Sequence, residues 1–241
     1  MLLYIKDYQK SIERGKKMNE SRAALLLNVL IISAIFVLNY FYQSNHFDYT
    51  LKCICSAAFA LLGLINLGFA IKTGQENIKF FVLMAVGLIL AMLGDVLINK
   101  SFVLGAAVFA LGHIGFVIAY YFLQGFNWRD AVIGGAIFVA AAAFLLCAPC
   151  FDFGSETFKW ICVSYAFIIS MMLGKAIADL ICQANTVNAL IAAGSFLFFF
   201  SDLMLVLAWF GGFPQWTNNA CMGTYYPALC LLAFSMYFKA F

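Results

Sequence analysis

The chain has 241 residues, 65% of them hydrophobic and only 10% charged, with a mean hydropathy of +0.97 and a net charge of +3. Soluble domains carry about 25% charged residues, so the composition excludes a water-soluble globular protein and makes lipid the solvent of this fold. No basic cluster lies beside an aromatic platform, which excludes nucleic acid as a partner. Eight cysteines, at 53, 55, 147, 150, 162, 182, 221 and 230, are scattered, mostly inside apolar runs. There a thiol behaves as a small hydrophobe, and no Cys/His array has zinc spacing.

Residues 1–21, MLLYIKDYQKSIERGKKMNES, form a basic arm. No small-residue cleavage site follows the first apolar run, so this is not read as a signal peptide. It is expected to be a partly helical cytoplasmic arm at the membrane interface. Eight apolar windows follow, over 22–41, 51–72, 78–98, 102–123, 130–149, 158–181, 187–210 and 220–240. Each is long enough to span a bilayer. Short separators rich in turn and charge signals divide them: QSNHFDYT, KTGQEN, NKS, QGFNWRD, APCFDFGSE, QANTVN and GGFPQWTNN. The expected fold is an all-α integral membrane protein, a single eight-transmembrane-helix bundle over 22–241 with no soluble domain.

Lys and Arg set the orientation. With eight spans both termini share a side. That side collects Lys6, Lys10, Arg14, Lys16, Lys17, Arg22, Lys72, Lys79, Arg129, Lys175 and Lys239, against Lys52, Lys100 and Lys159 on the other. Both termini are therefore expected in the cytoplasm, and the third and seventh helices run from inside to outside.

Those two helices carry the most informative residues. FLFFFSDLMLVLAWF (196–210) holds one charge, Asp202, and GLILAMLGDVLIN (87–99) holds one, Asp95. A carboxylate at the centre of a membrane helix costs roughly 2.5–3.5 kcal/mol on insertion scales, and such residues usually face the bundle interior and serve a site. Counted from their helix starts, the two lie at similar depth, beyond the midplane toward the outer face. Their contexts match as well: Gly87 and Gly194 each precede the Asp by eight positions, Gly94 and Ser201 by one, and Leu97 and Met204 follow by two. Helices four apart in the chain with matching contexts point to a four-plus-four internal repeat about an axis along the membrane normal. Such an axis brings the carboxylates to one depth on opposing helices. Two carboxyl groups forced together in a dry site cannot both ionise cheaply, which leaves an acid beside a base at neutral pH.

Further polar groups lie on neighbouring stretches. Asn99 shares a helix face with Asp95. His113 lies mid-helix in FALGHIGFVIAYY, and TYYPALC brings Tyr225 and Tyr226 into the membrane from the outer side, with Pro227 freeing a backbone carbonyl. Lys175 and Asp179, four apart, read as a snorkelling pair near the cytoplasmic end. Trp128, Trp160, Trp209 and Trp216 read as interfacial belt.

Gly94–Asp95 with Leu97 and Ile98 in the third helix, and Phe198, Ser201, Asp202 and Leu205 (FxxSDxxL) in the seventh, resemble the motifs of the YhhN family. The Gly112–His113 pair and the Thr224–Tyr225–Tyr226 start of the eighth span are also similar to that family. One departure is Leu229, where a polar residue, often Gln, is expected. The resemblance covers the chain from about residue 25 onward. It implies a lysoplasmalogenase: a membrane hydrolase that cleaves the vinyl ether bond of a lysoplasmalogen to a fatty aldehyde and glycerophosphocholine or glycerophosphoethanolamine. The residues carried over are Asp95 and Asp202 as the catalytic acid–base pair, with Asn99, His113, Ser201, Tyr225 and Tyr226 holding substrate or water. No metal and no cofactor is implied, and the partners are the lysophospholipid substrate and the surrounding membrane lipid.

Three other readings use the same residues. Asp95, His113 and Asp202 could ligate a catalytic metal. Buried carboxylates also suit a proton-coupled transporter, although no Gly/Pro-broken helix pair occupies corresponding halves. Cys147 and Cys150 form a CxxC that a thiol oxidoreductase would use.

Overall fold

The computed structural model describes residues 2–44 and 48–241. The side chains of Lys6, Lys10, Arg14, Lys16 and Lys17, on which much of the expected arm rests, lie outside that description, as do residues 45–47 of the first separator. Eight helices follow in order: α1 Leu2–Ser44, α2 Tyr49–Lys72, α3 Ile78–Ile98, α4 Phe102–Leu123, α5 Trp128–Cys147, α6 Glu156–Cys182, α7 Thr186–Phe210 and α8 Pro214–Ala240. All eight contain a stretch long and apolar enough to cross a membrane, and in α1 that stretch is Met18–Ser44. The protein is an all-α, multi-pass integral membrane protein. The backbone of α1 runs without a break from the arm into the first span.

Helices are the form that satisfies every backbone group inside lipid without a partner strand. Their ends are set by polar caps at the separators. The Asp48 carboxylate accepts from the Leu51 amide at 3.0 Å, Ser155 caps α6, and Asn185 accepts from Asn188. At α5 the cap is reciprocal: Asn127 accepts from the first turn while Asp130 accepts from the Asn127 amide, a capping box. Gly74 and Gly212, with φ of 66° and 72°, make the turns after α2 and α7 in a region only glycine enters freely.

The burial pattern is that of a protein solvated by lipid. Leu26, Leu30, Ile71 and Val139 are among many large apolar side chains turned outward, whereas Asn28, Ser56, Asn66, Asp95, His113, Lys175, Ser195 and Asp202 are turned in. Close approach between helices is made by small residues. A Cβ on Gly174 of α6 would stand 2.3 Å from the Gly134 backbone of α5, and one on Gly87 of α3 would stand 2.5 Å from the Phe116 ring of α4. Buried amides join α1, α2 and α8: Asn28 and Asn66 donate to each other at 2.9 and 2.8 Å, and Asn66 also donates to the Ala233 carbonyl.

Helix packing follows the repeat expected from the sequence. α3 packs along α4 as α7 packs along α8, α2 on α3 as α6 on α7, α1 on α2 as α5 on α6, and α2 on α8 as α6 on α4. Glycines bring both pairs close: Gly112 of α4 faces the Gly87 carbonyl of α3, and Gly194 of α7 faces the Ala228 carbonyl of α8. The correspondence is broken where α8 packs closely on α1, an approach with no α4–α5 counterpart among the described residues, whereas α4 meets α7 through His113–Asp202 and Tyr120–Ser195.

Candidate functional site

Asp95 lies about one turn before the end of α3 and Asp202 about two turns before the end of α7, at the end of the bundle that carries the α3–α4, α5–α6 and α7–α8 connections. Both are buried, at 3% and 7% exposure. Each sits between the two helices that the repeat assigns to it.

Asp95 is held from α2 and α8. Ser56 Oγ is 2.6 Å and Tyr225 Oη 2.8 Å from its Oδ2, and Lys52 Nζ is 3.5 Å from its Oδ1. Both oxygens are engaged, and the partner cation is itself buried. Tyr226 Oη donates to the Lys52 carbonyl at 3.4 Å and its ring packs on Phe59, so the two helix-8 tyrosines brace opposite ends of the Lys52–Asp95 pair.

Asp202 is held from α4 and α6, and differently. Tyr165 donates to Oδ2 at 2.7 Å, and His113 Nε2 lies 3.2 Å from that same oxygen and 2.8 Å from the Tyr165 hydroxyl. No described hydrogen bond falls on Oδ1. Both contacts fall on Oδ2, so the two carboxylate oxygens differ in their surroundings. The tautomer protonated on Nε2 would donate to this cluster and leave Nδ1 as an acceptor. That Nδ1 is buried and has no partner among the described residues. A buried ring nitrogen left bare calls for a donor from water or a ligand. Asp202 and Tyr165 also line two small apolar cavities, one with Ile98, Phe102 and Phe109 and one with Leu145, Phe199 and Leu203.

The sequence-expected residues divide as follows. His113 joins Asp202, and Tyr225 joins Asp95. Ser201 is buried beside Asp202 in the chain, but its hydroxyl meets Cys221 Sγ at 3.4 Å. Asn99 is exposed at the α3 terminus and its amide donates to the Asp95 main-chain carbonyl, not to the carboxylate. No hydrogen bond joins Asp95 to Asp202; the two carboxylates expected to stand side by side as acid and base are each held by their own partners. Aromatic rings link the two sets: Tyr225 packs on Phe109 and Phe198, and Phe198 packs on His113 with ring centres 4.5 Å apart. Asp95, His113 and Asp202 do not converge as a ligand group, and no three His, Cys, Asp or Glu side chains do so among the described residues. Cys147 and Cys150 are unpaired thiols.

Sequence reasoning missed Lys52, Ser56 and Tyr165. Lys52 and Ser56 were legible as polar residues four apart on one helix face, yet a lysine in the first turn of a span reads as an interfacial anchor. Tyr165 is hidden in WICVSYAFIIS, where an aromatic residue reads as apolar filling. Lys175 is a correction. It does not snorkel: it is 1% exposed, 2.6 Å from Asp179 and 3.4 Å from Asp130, donates to the Gly125 carbonyl and lies over the Tyr121 ring. A second carboxylate and a carbonyl at the α4–α5 turn make burial tolerable there. The four tryptophans are exposed near helix ends, as a belt requires.

The profile of the YhhN family matches residues 47–236, which takes in both carboxylates and all their partners. No curated protein and no solved structure matches the chain.

Proposed function

The chain belongs to the YhhN family, and from that premise we propose that it is a membrane hydrolase that cleaves the vinyl ether bond of lysoplasmalogens. The observation that carries this reading is the asymmetry of the two carboxyl groups. Asp95 is ion-paired and bonded on both oxygens, whereas Asp202 is hydrogen-bonded on Oδ2 alone and lines two apolar cavities.

Cleavage of a vinyl ether begins with proton transfer to carbon, the step that needs a positioned acid. The Asp202 carboxyl gives its proton to the β-carbon of the double bond, and the α-carbon and ether oxygen become an oxocarbenium ion. Water adds to that cation and returns a proton to Asp202. The resulting hemiacetal loses its hydroxyl proton as the glycerol oxygen gains one, and the C–O bond breaks. The sum is one water consumed, with one fatty aldehyde and one glycerol hydroxyl released, and Asp202 is restored. Tyr165 and His113 Nε2 hold Oδ2 so that the proton stays on the reacting oxygen. His113 Nδ1 is the acceptor that can hold the water. Asp95, neutralised by Lys52 and fixed by Ser56 and Tyr225, braces the same end of the bundle. Tyr226, Ser201 and Asn99 support this arrangement at longer range.

The test is turnover of a lysoplasmalogen in D2O by the purified protein, with aldehyde trapped at once by reduction. Protonation at carbon places one deuterium on the carbon next to the former carbonyl. The saturated 1-O-alkyl analogue, which has no double bond to protonate, is expected to be inert. No aldehyde from folded protein, or cleavage of the alkyl analogue at the same rate, would overturn the reading.

A further inference from the structure

α4 and α6 enclose a groove of about 420 Å³ that opens to the outside of the bundle. Ala106, Ala107 and Ala110 make its α4 wall, and Trp160, Ser164 and Tyr165 much of its α6 wall. Both helices are membrane spans, so the open side faces lipid. The volume is in the range of small-ligand sites, roughly 300–1,000 Å³. Ser164 is exposed in this wall and its hydroxyl has no hydrogen-bond partner among the described residues. Helical serines in membranes usually bond to a neighbouring helix, so a bare one beside an apolar channel presents its hydroxyl to whatever fills the channel.

Tyr165 gives the groove its meaning. One side of this half-buried ring lines the groove, and the residue also lines both inner cavities that reach Asp202. Its hydroxyl is the group that bonds Asp202 and meets His113. Ala106 and Ile161 are likewise shared between the groove and an inner cavity. On this face of the bundle lipid and carboxyl are thus separated by one side chain layer.

We infer that the hydrocarbon chain of the lipid substrate reaches the site sideways from the bilayer through the α4–α6 groove, with Tyr165 as the gate in front of Asp202. The inference rests on the proposed reaction for the identity of the substrate, but the route is a property of the groove. A single chain fits between the alanine wall and Trp160, and the bond nearest the head group comes to rest against Tyr165. Rotation of the Tyr165 ring about its own long axis, which leaves the hydroxyl on Oδ2, opens the Asp202 carboxyl to that bond. The small residues at 106, 107 and 110 are what leave the channel free.

The experiment uses a lysophospholipid carrying a photoactivatable diazirine midway along its chain, with the full-length protein in lipid nanodiscs. Illumination and peptide mapping are expected to place the label on α4 and α6, around residues 103–110 and 157–168. Ala107→Trp, an exposed position where a large ring fills the groove without entering the core, is expected to cut that labelling and raise KM for long-chain substrate about tenfold, the loss of roughly two methylenes of burial. Labelling confined to other helices, or an Ala107→Trp variant with unchanged labelling, overturns the route. Labelling of the groove by a protein that releases no aldehyde would support the route and refute the reaction, so the two failures are distinct.

Discussion

At the scale of single residues, the site is built by charge and hydrogen-bond accounting in a medium that cannot supply either. Asp95 is tolerable because Lys52 neutralises it and Ser56 and Tyr225 fill its remaining oxygen. Removing one member of a buried pair strands the other charge, a loss of about 3–5 kcal/mol. Lys52→Met is therefore expected to lower the unfolding midpoint in detergent markedly. The double variant Lys52→Met/Asp95→Asn, which removes both charges, should recover much of the loss, as a double-mutant cycle would register. A Lys52→Met protein as stable as wild type would contradict the pairing. Asp95, Asp202, His113 and Tyr225 were legible in the sequence because a polar group in an apolar run has to be explained. Lys52 and Tyr165 were not, because their types are ordinary where they stand and only tertiary packing turns them inward.

Elements were the most legible level. The windows for α3 and α4 coincide with the observed helices, since an apolar run bounded by turn residues has little alternative in lipid. The starts of α5, α6 and α8 come earlier than their apolar windows. Asn127, Ser155 and Pro214 begin them as cap or first-turn residues, and hydropathy does not register a cap. What holds the elements together was less visible. Gly134 and Gly174 set the spacing of α5 and α6, and a methyl group on Gly174 has no room against the Gly134 backbone. Gly174→Ala is expected to destabilise by about 1–3 kcal/mol through overpacking, read as a lower melting temperature in detergent. The α5–α6 contact also positions Asp130 beside Lys175, so Gly174→Leu should be worse. An unchanged melting temperature in both would mean that these helices are not in contact at that point.

For the whole molecule, the four-plus-four arrangement explains why one chain carries two similar carboxylates with different fates. Each sits where its helix packs between two equivalent neighbours, but the residues that meet it differ: Lys52 and Tyr225 in one half, Tyr165 and His113 in the other. The sequence hinted at the repeat through Gly87/Asp95 and Gly194/Asp202, yet it could not say that the halves had diverged into an ion-paired carboxylate and one bonded on a single oxygen. From the distribution of Lys and Arg we propose that both termini lie on the cytoplasmic side. Single cysteines introduced into a cysteine-free version at 2 and 241 should then resist a membrane-impermeant thiol reagent in intact cells, while one at 100 should react. Labelling of the termini in intact cells would invert the orientation, and with it the leaflet that the α4–α6 groove faces.

The central claim is that Asp202 is the acid. The most direct measurement is the rate of aldehyde release from a lysoplasmalogen by Asp202→Asn beside wild type, with the melting temperatures of both recorded. The amide keeps the shape but cannot deliver a proton, and removing a general acid typically lowers turnover about 10²–10⁴-fold. A folded Asp202→Asn protein slowed by at least about 100-fold is the predicted result. A folded variant that turns over near the wild-type rate would place the chemistry elsewhere.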